Sequence, residues 1–164
     1  LNVPLSGLDT SRGMTSEVIA LHRDSEHLFT GWVRTVRASG HVIYAGAYSI
    51  CEVPDHPGRC VRVVFPLPNG NAIVIMRPVA HADGSLTLIS AGEKFGSPGF
   101  YFTVHHPDGT VSARYLRAMR ETIHVYESDS GVRADHVLKL WGITFLRLHY
   151  RLQRNRSAAV RASS

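Results

Sequence analysis

The sequence predicts a mainly β chain, an antiparallel up-and-down barrel of about eight strands, and three observations carry that expectation. Runs rich in Val, Ile, Phe, Tyr and Thr recur along the whole 164-residue chain. Asn69-Gly70, Asp83-Gly84 and Asp108-Gly109 punctuate them, and these residue types tolerate the positive φ of tight hairpin turns. Residues 113–152 read as two long segments folded back on each other at Ser128-Asp129-Ser130-Gly131. Regularly spaced strands joined by tight turns indicate an antiparallel barrel or sandwich.

Residues 1–16 carry Pro4, Gly7, Asp9, Ser11 and Gly13 and read as an N-terminal arm. Residues 17–152 read as a single β-rich domain, and residues 153–164 as a basic C-terminal tail. Glu17 to Leu21 is the first short strand, and His22 to His27 a polar connection. Leu28 to Arg37 is β-rich, and Gly31 and Thr30 argue against a helix there. A long strand follows over residues 41–53, with Tyr44, Gly46 and Tyr48 on one face and Ala45, Ala47 and Ser49 on the other. Gly46 inside it marks a bend or the close approach of another group.

Residues 60–65, 71–77, 85–90 and 100–105 continue the rhythm, and no internal repeat is seen. A single flat strand over residues 110–127 would reach about 60 Å at roughly 3.3 Å per residue, so a bend is expected near Met119-Arg120-Glu121. The last segment is ambiguous. Leu138, Trp141, Phe145, Leu148 and Leu152 have helical spacing with Asp135 as a cap, but Gly142, Thr144 and the β-favouring aromatics indicate strand. Strand is preferred and closes the barrel; a final helix across a curved sheet would instead give a START-like helix-grip fold.

No run approaches the roughly 18 apolar residues needed to span a bilayer, and the N-terminus lacks the basic start and apolar core of a signal peptide. A cytoplasmic location is the expectation. The net charge of +5 lies in the C-terminal segment: beyond Asp135 stand Lys139, Arg147, Arg151, Arg154, Arg156 and Arg161 and no acidic residue. Such a tail attracts anionic surfaces. No aromatic residue is interleaved with its arginines after Tyr150, which argues against nucleic acid as a partner.

Register at the 128–131 turn follows by counting. Glu127 faces Val132, Tyr126 faces Arg133, Val125 faces Ala134 and His124 faces Asp135. His124, Asp135, Tyr126 and Arg133 then share one face, and Ile123, Val125 and Ala134 take the other. A carboxylate beside an imidazole fixes its tautomer and raises its basicity, so these four are the candidate catalytic residues for general acid–base chemistry. A solvated hairpin tip collects the same residue types.

Ten histidines invite a metal, but His105 and His106 are adjacent and point to opposite faces. No Cys-x-x-Cys or His-Glu-x-x-His pattern exists, so neither metal nor other cofactor is expected. Cys51 and Cys60 flank a short loop at possible disulfide spacing, and a cytoplasmic chain would keep them as thiols. Gly92 to Gly99 resembles a phosphate loop in composition only and reads as a long loop, a candidate lid over the barrel mouth.

Gly31-Trp32 at the first long strand resembles the Gly-x-Trp of lipocalins without its intervening residue, and the strand meander over residues 28–150 is similar to lipocalin-like barrels in architecture. The resemblance implies a ligand cavity and names no ligand. Tyr44, Tyr48, Met76, Phe100, Phe102 and Trp141 are the candidate lining residues. The leading expectation is a β-barrel that binds a small, largely apolar molecule. The alternatives are a cyclase, isomerase or dehydratase acting on an apolar, polyketide-like substrate, and an anionic-surface or nucleic-acid binder using the basic tail. Oligomeric state is not legible.

Overall fold

The computed structural model describes residues 13–129 and 131–153. These form eleven antiparallel strands and no helix: β1 Met14–Arg23, β2 Glu26–Val36, β3 Val42–Val53, β4 His56–Leu67, β5 Gly70–Ala80, β6 Leu86–Ser90, β7 Gly99–His105, β8 Val111–Tyr115, β9 Met119–Ser128, β10 Gly131–Leu140 and β11 Ile143–Leu152. The main path runs β1-β2-β3-β4-β5-β6-β9-β10-β11, with β7 and β8 branching from β5. The sheet curls into a half-barrel. It is open, so the expected closed barrel of eight strands is corrected to an eleven-stranded half-barrel, and the helix-grip alternative falls with the absence of any helix among the described residues.

The fork lies in β5. Its residues 70–75 pair with β7, and residues 77–80 pair with β6, while β4 covers residues 70–76. Gly70 makes the first pairing possible, because a Cβ there would lie 1.9 Å from the Thr103 carbonyl oxygen. The core sits at this fork: Val63, Val74, Met76 and Phe100 are buried, with Tyr48, Val61, Phe65, Leu88, Leu116, Met119 and Ile123 packed against them.

The break in the long 110–127 run falls at residues 116–118, slightly ahead of the expected bend. There the chain leaves β7, the partner of β8, and crosses to β6, the partner of β9. Ser90 welds the crossing, its hydroxyl accepting from the Glu121 amide at 2.9 Å.

Two other boundaries differ from expectation. Residues 14–16, read as arm, belong to β1, and the His22–His27 connection is a tight hairpin turn with Asp24 at φ 53°. The remainder of the arm and the tail beyond Gln153 lie outside the described residues. The terminal segment is strand, as preferred, but as two strands joined at Trp141-Gly142. Its apparent helical spacing mixes positions that share no face: Trp141 is in the turn, Phe145 on the exposed face of β11 and Leu148 on the opposite, half-buried face.

A seven-residue hairpin motif recurs, unnoticed in the sequence beyond its Asp-Gly pairs. In His81-Ala-Asp-Gly-Ser-Leu-Thr87, Asp83 Oδ1 accepts from the Ser85 amide and hydroxyl, and His81 Nε2 bonds the Thr87 hydroxyl at 2.8 Å. In His106-Pro-Asp-Gly-Thr-Val-Ser112, Asp108 holds Thr110 in the same way, and His106 Nε2 bonds Ser112 at 2.8 Å. Each carboxylate ties down the turn in an Asx-type geometry.

Candidate functional site

Alternation along the strands sorts the polar residues between two faces. On β2 and β3, Trp32 is opposite Gly46 and Arg34 is opposite Tyr44. Trp32, Arg34, Tyr44 and Tyr48 gather on the concave side with Tyr150 of β11, near Glu121 of β9 and with His136 of β10 beside Tyr150.

The Arg34 guanidinium is the centre of this cluster. Its Cζ lies 4.2 Å from the centre of the Trp32 ring, 5.1 Å from Tyr44 and 4.9 Å from Tyr150. Three aromatic faces around one cation are mutually favourable, and Tyr150 brings β11 across the half-barrel to β2. No carboxylate lies within ion-pair distance of Arg34 among the described residues. The buried Trp32 Nε1 also lacks a hydrogen-bond partner there. The Tyr44 and Tyr48 hydroxyls are hydrogen-bonded to each other. Gly46 beneath them leaves the room they need, since a Cβ would meet Phe65, Val63 and the Tyr44 hydroxyl at 3.2 Å. The expected close approach at Gly46 is this one.

Burial pushes the Tyr44 phenol far above its ordinary value, with the Tyr48 phenol beside it adding to the shift. Burial also raises Tyr48, against the lowering effect of its bond to Tyr44. Both phenols therefore stay protonated and remain donors. Deeper in the concavity, His136 Nε2 contacts Glu121 Oε1, and both side chains are largely buried. Neither Arg34 nor His136 was singled out in the sequence, and Trp32 and Glu121 were noted there only for a lipocalin-like Gly-Trp pair and an expected bend. The alternation of β2 was a visible signal for Trp32 and Arg34, whereas the inward turn of Glu121 depends on the strand break ahead of it.

The register expected at the 128–131 turn is the one observed: Tyr126 pairs with Arg133, Val125 with Ala134 and His124 with Asp135. The four candidate catalytic residues share the convex face, but their side chains have other partners. Asp135 Oδ1 accepts from His149 Nδ1 at 2.7 Å, from β11. His124 Nδ1 bonds the Thr87 hydroxyl at 3.0 Å, its ring stacks on Tyr126 with centroids 5.2 Å apart, and His81 lies edge-on to it. Tyr126, Arg133, Asp135 and His149 line a cavity of about 490 Å³ at the hairpin tip, and His124 lies outside its lining.

Of the candidate ligand-lining residues, Tyr44, Tyr48, Met76 and Phe100 are in the concavity or its core. Phe102 is on the same face of β7 as Phe100 but 40% exposed. Trp141 stands apart at the β10–β11 turn, 78% exposed.

Cys51 and Cys60 are direct cross-strand partners and free thiols. Residues 92–98 are tied down at the β3–β4 turn, where Asp55 accepts from the Ser97 hydroxyl at 3.2 Å and pairs with Lys94 at 3.4 Å. Among the described residues no three His, Cys, Asp or Glu side chains converge as a metal site, and no helix is long and apolar enough to cross a membrane.

An open antiparallel half-barrel with an aromatic and polar concave face is the class that fold and site define. Comparison with protein-family models, with curated proteins and with solved structures finds no match.

Proposed function

We propose that the concave face binds a small, largely apolar molecule that carries one acidic or electron-rich oxygen. The supporting observation is the Arg34 guanidinium, enclosed by Trp32, Tyr44 and Tyr150 and lacking a carboxylate partner among the described residues. An acidic group there would receive charge-assisted hydrogen bonds, the strongest polar contacts available to a small ligand. The unpartnered Trp32 indole N–H supplies a second donor, and Tyr48, Phe65 and Met76 an apolar wall. Lipocalin-like barrels hold ligands by a comparable division between apolar walls and a few placed polar groups. A cytoplasmic location suits free thiols at Cys51 and Cys60.

The reading is tested by titrating the protein with cis-parinaric acid, a fluorescent fatty acid. Saturable one-to-one binding is expected, weakened at least about tenfold in Tyr48→Ala by the loss of one large aromatic wall. Absence of saturable binding to folded protein would remove the proposal.

A second reading, proton transfer on an apolar carbonyl substrate, is favoured by the Asp135–His149 contact in the hairpin-tip cavity with Tyr126 and Arg133. In it Asp135 orients His149 as general base, and His124 serves as a neighbour stacked on Tyr126. Deuterium exchange at the α-carbon of benzoylacetone, followed by proton NMR, is the test. Exchange above the buffer rate that disappears in Asp135→Asn supports acid–base function, and exchange at the buffer rate excludes it for this substrate class.

A further inference from the structure

The β10–β11 turn does something unusual with a tryptophan. Trp141 has φ 50° and Gly142 φ 82°, so both turn residues occupy the left-handed region. Asn or Gly favours such positions, and a bulky aromatic side chain is disfavoured there. The turn is not loose, because the Trp141 amide donates to the Ala118 carbonyl at 2.8 Å. Its indole is nonetheless 78% exposed, and Ile143 and Phe145 behind it are 73% and 53% exposed. An apolar tip is thus held outward by an unfavourable backbone conformation.

Beside the tip lies a groove of about 720 Å³ lined by Arg117, Arg120, Lys139, Thr122, Val137 and Trp141 among others. Arg120 and Lys139 are direct cross-strand partners, and like charges placed opposite one another are mutually destabilising. None of the three cations has a carboxylate within ion-pair distance among the described residues. Glu121, next in sequence to Arg120, turns to the concave side and contacts His136. Glu93 is exposed on the 92–98 loop and does not line the groove.

We propose that this tip docks on an anionic phospholipid surface. Headgroup phosphates enter the groove and relieve the repulsion among Arg117, Arg120 and Lys139. Trp141 and Ile143 enter the headgroup boundary, where an indole is favourably placed. The pairing of cations with a projecting aromatic and an aliphatic side chain fits a lipid surface. A single-stranded nucleic acid would call for several stacking rings along a basic track, and the groove presents one. The proposal is independent of what the concave face binds.

The test is co-sedimentation of the full chain with phosphatidylserine–phosphatidylcholine vesicles and with pure phosphatidylcholine vesicles. Binding to the anionic vesicles alone is expected, weakening with salt, with a blue shift of tryptophan emission that is absent in Trp141→Phe/Ile143→Ser. Lys139→Gln and Arg120→Gln should each weaken binding about fivefold. Trp141→Asn separates function from folding: the variant should melt at or above the wild-type temperature, because Asn suits the left-handed turn, while vesicle binding falls. Three results would each overturn the proposal: no binding of folded protein to anionic vesicles, unchanged binding by the Trp141 and Lys139 variants, or a lowered melting temperature in Trp141→Asn showing that the indole packs structurally. Retention on polyuridylate that depends on the same residues, without vesicle binding, would assign the groove to RNA instead.

Discussion

Tyr44 and Tyr48 stand four residues apart on the inward face of β3 with their hydroxyls hydrogen-bonded to each other. Each phenol is raised above its ordinary value of 10.0, chiefly by burial. The folded protein therefore holds these protons more tightly than the unfolded chain does. Stability from this source is fully present below about pH 10 and is lost as pH rises through the folded values. Tyr44→Phe should cost about 0.5–1.5 kcal/mol at neutral pH through the lost hydrogen bond. It should also flatten the fall in stability above pH 10, because one strongly shifted group is gone. Urea unfolding at a series of alkaline pH values checks both effects, and an unchanged alkaline slope would contradict the burial of this pair.

Asp83 and Asp108 are the acid counterparts. The hydroxyl and amide of Ser85 hold Asp83 below its ordinary value of 3.8, and those of Thr110 do the same for Asp108. A depressed carboxylate contributes stability above its unfolded pKa, and the contribution is lost as pH falls through the folded one. Asp83→Asn and Asp108→Asn should lower the thermal midpoint at pH 7 and converge on the wild type below pH 3.8. Thermal melts between neutral and strongly acidic pH measure this. A gap that stays constant with pH would mean the turns are held without the carboxylate charge.

Met76 and Phe102 make a paired test of where the core ends. Met76 is buried in the cluster at the β5 fork, and Phe102 is 40% exposed on β7. Met76→Ala is expected to cost about 2–5 kcal/mol as a cavity in a packed site. Phe102→Ala should cost clearly less, because much of its ring already meets water. Equilibrium denaturation of both variants decides the order, and the reverse order would misplace the core.

Much of this architecture was legible before the structure. The 124–135 pairing followed from one turn and the period of a strand, because a hairpin register is set by its turn. Strand boundaries elsewhere followed from Asp-Gly and Asn-Gly pairs. What stayed hidden depends on long-range pairing. The fork in β5 divides one continuous apolar strand between two partners, and nothing local marks residue 76 as the dividing point. Openness was equally hidden, since a terminal β-strand reads the same whether or not it meets the first. The same limit applied to side chains. His124 and Asp135 were placed as neighbours, but a sequence does not show that Asp135 has a second cross-strand neighbour, His149, and bonds it. The Arg34 cluster draws on β2, β3 and β11, so it exists only once the sheet has curled.

The acidic group proposed to sit against Arg34 on the concave face can be sought with small fluorescent probes. The decisive measurement uses a matched pair, anilinonaphthalene sulfonate and its uncharged relative N-phenylnaphthylamine, titrated against wild-type protein and Arg34→Gln. A charge-assisted contact of about 1.5–3 kcal/mol corresponds to a preference for the sulfonate of roughly ten- to a hundredfold, and that preference should vanish in Arg34→Gln while binding of the uncharged probe persists. Equal preference in both proteins, or no saturable binding of either probe, would show that Arg34 holds no acidic group.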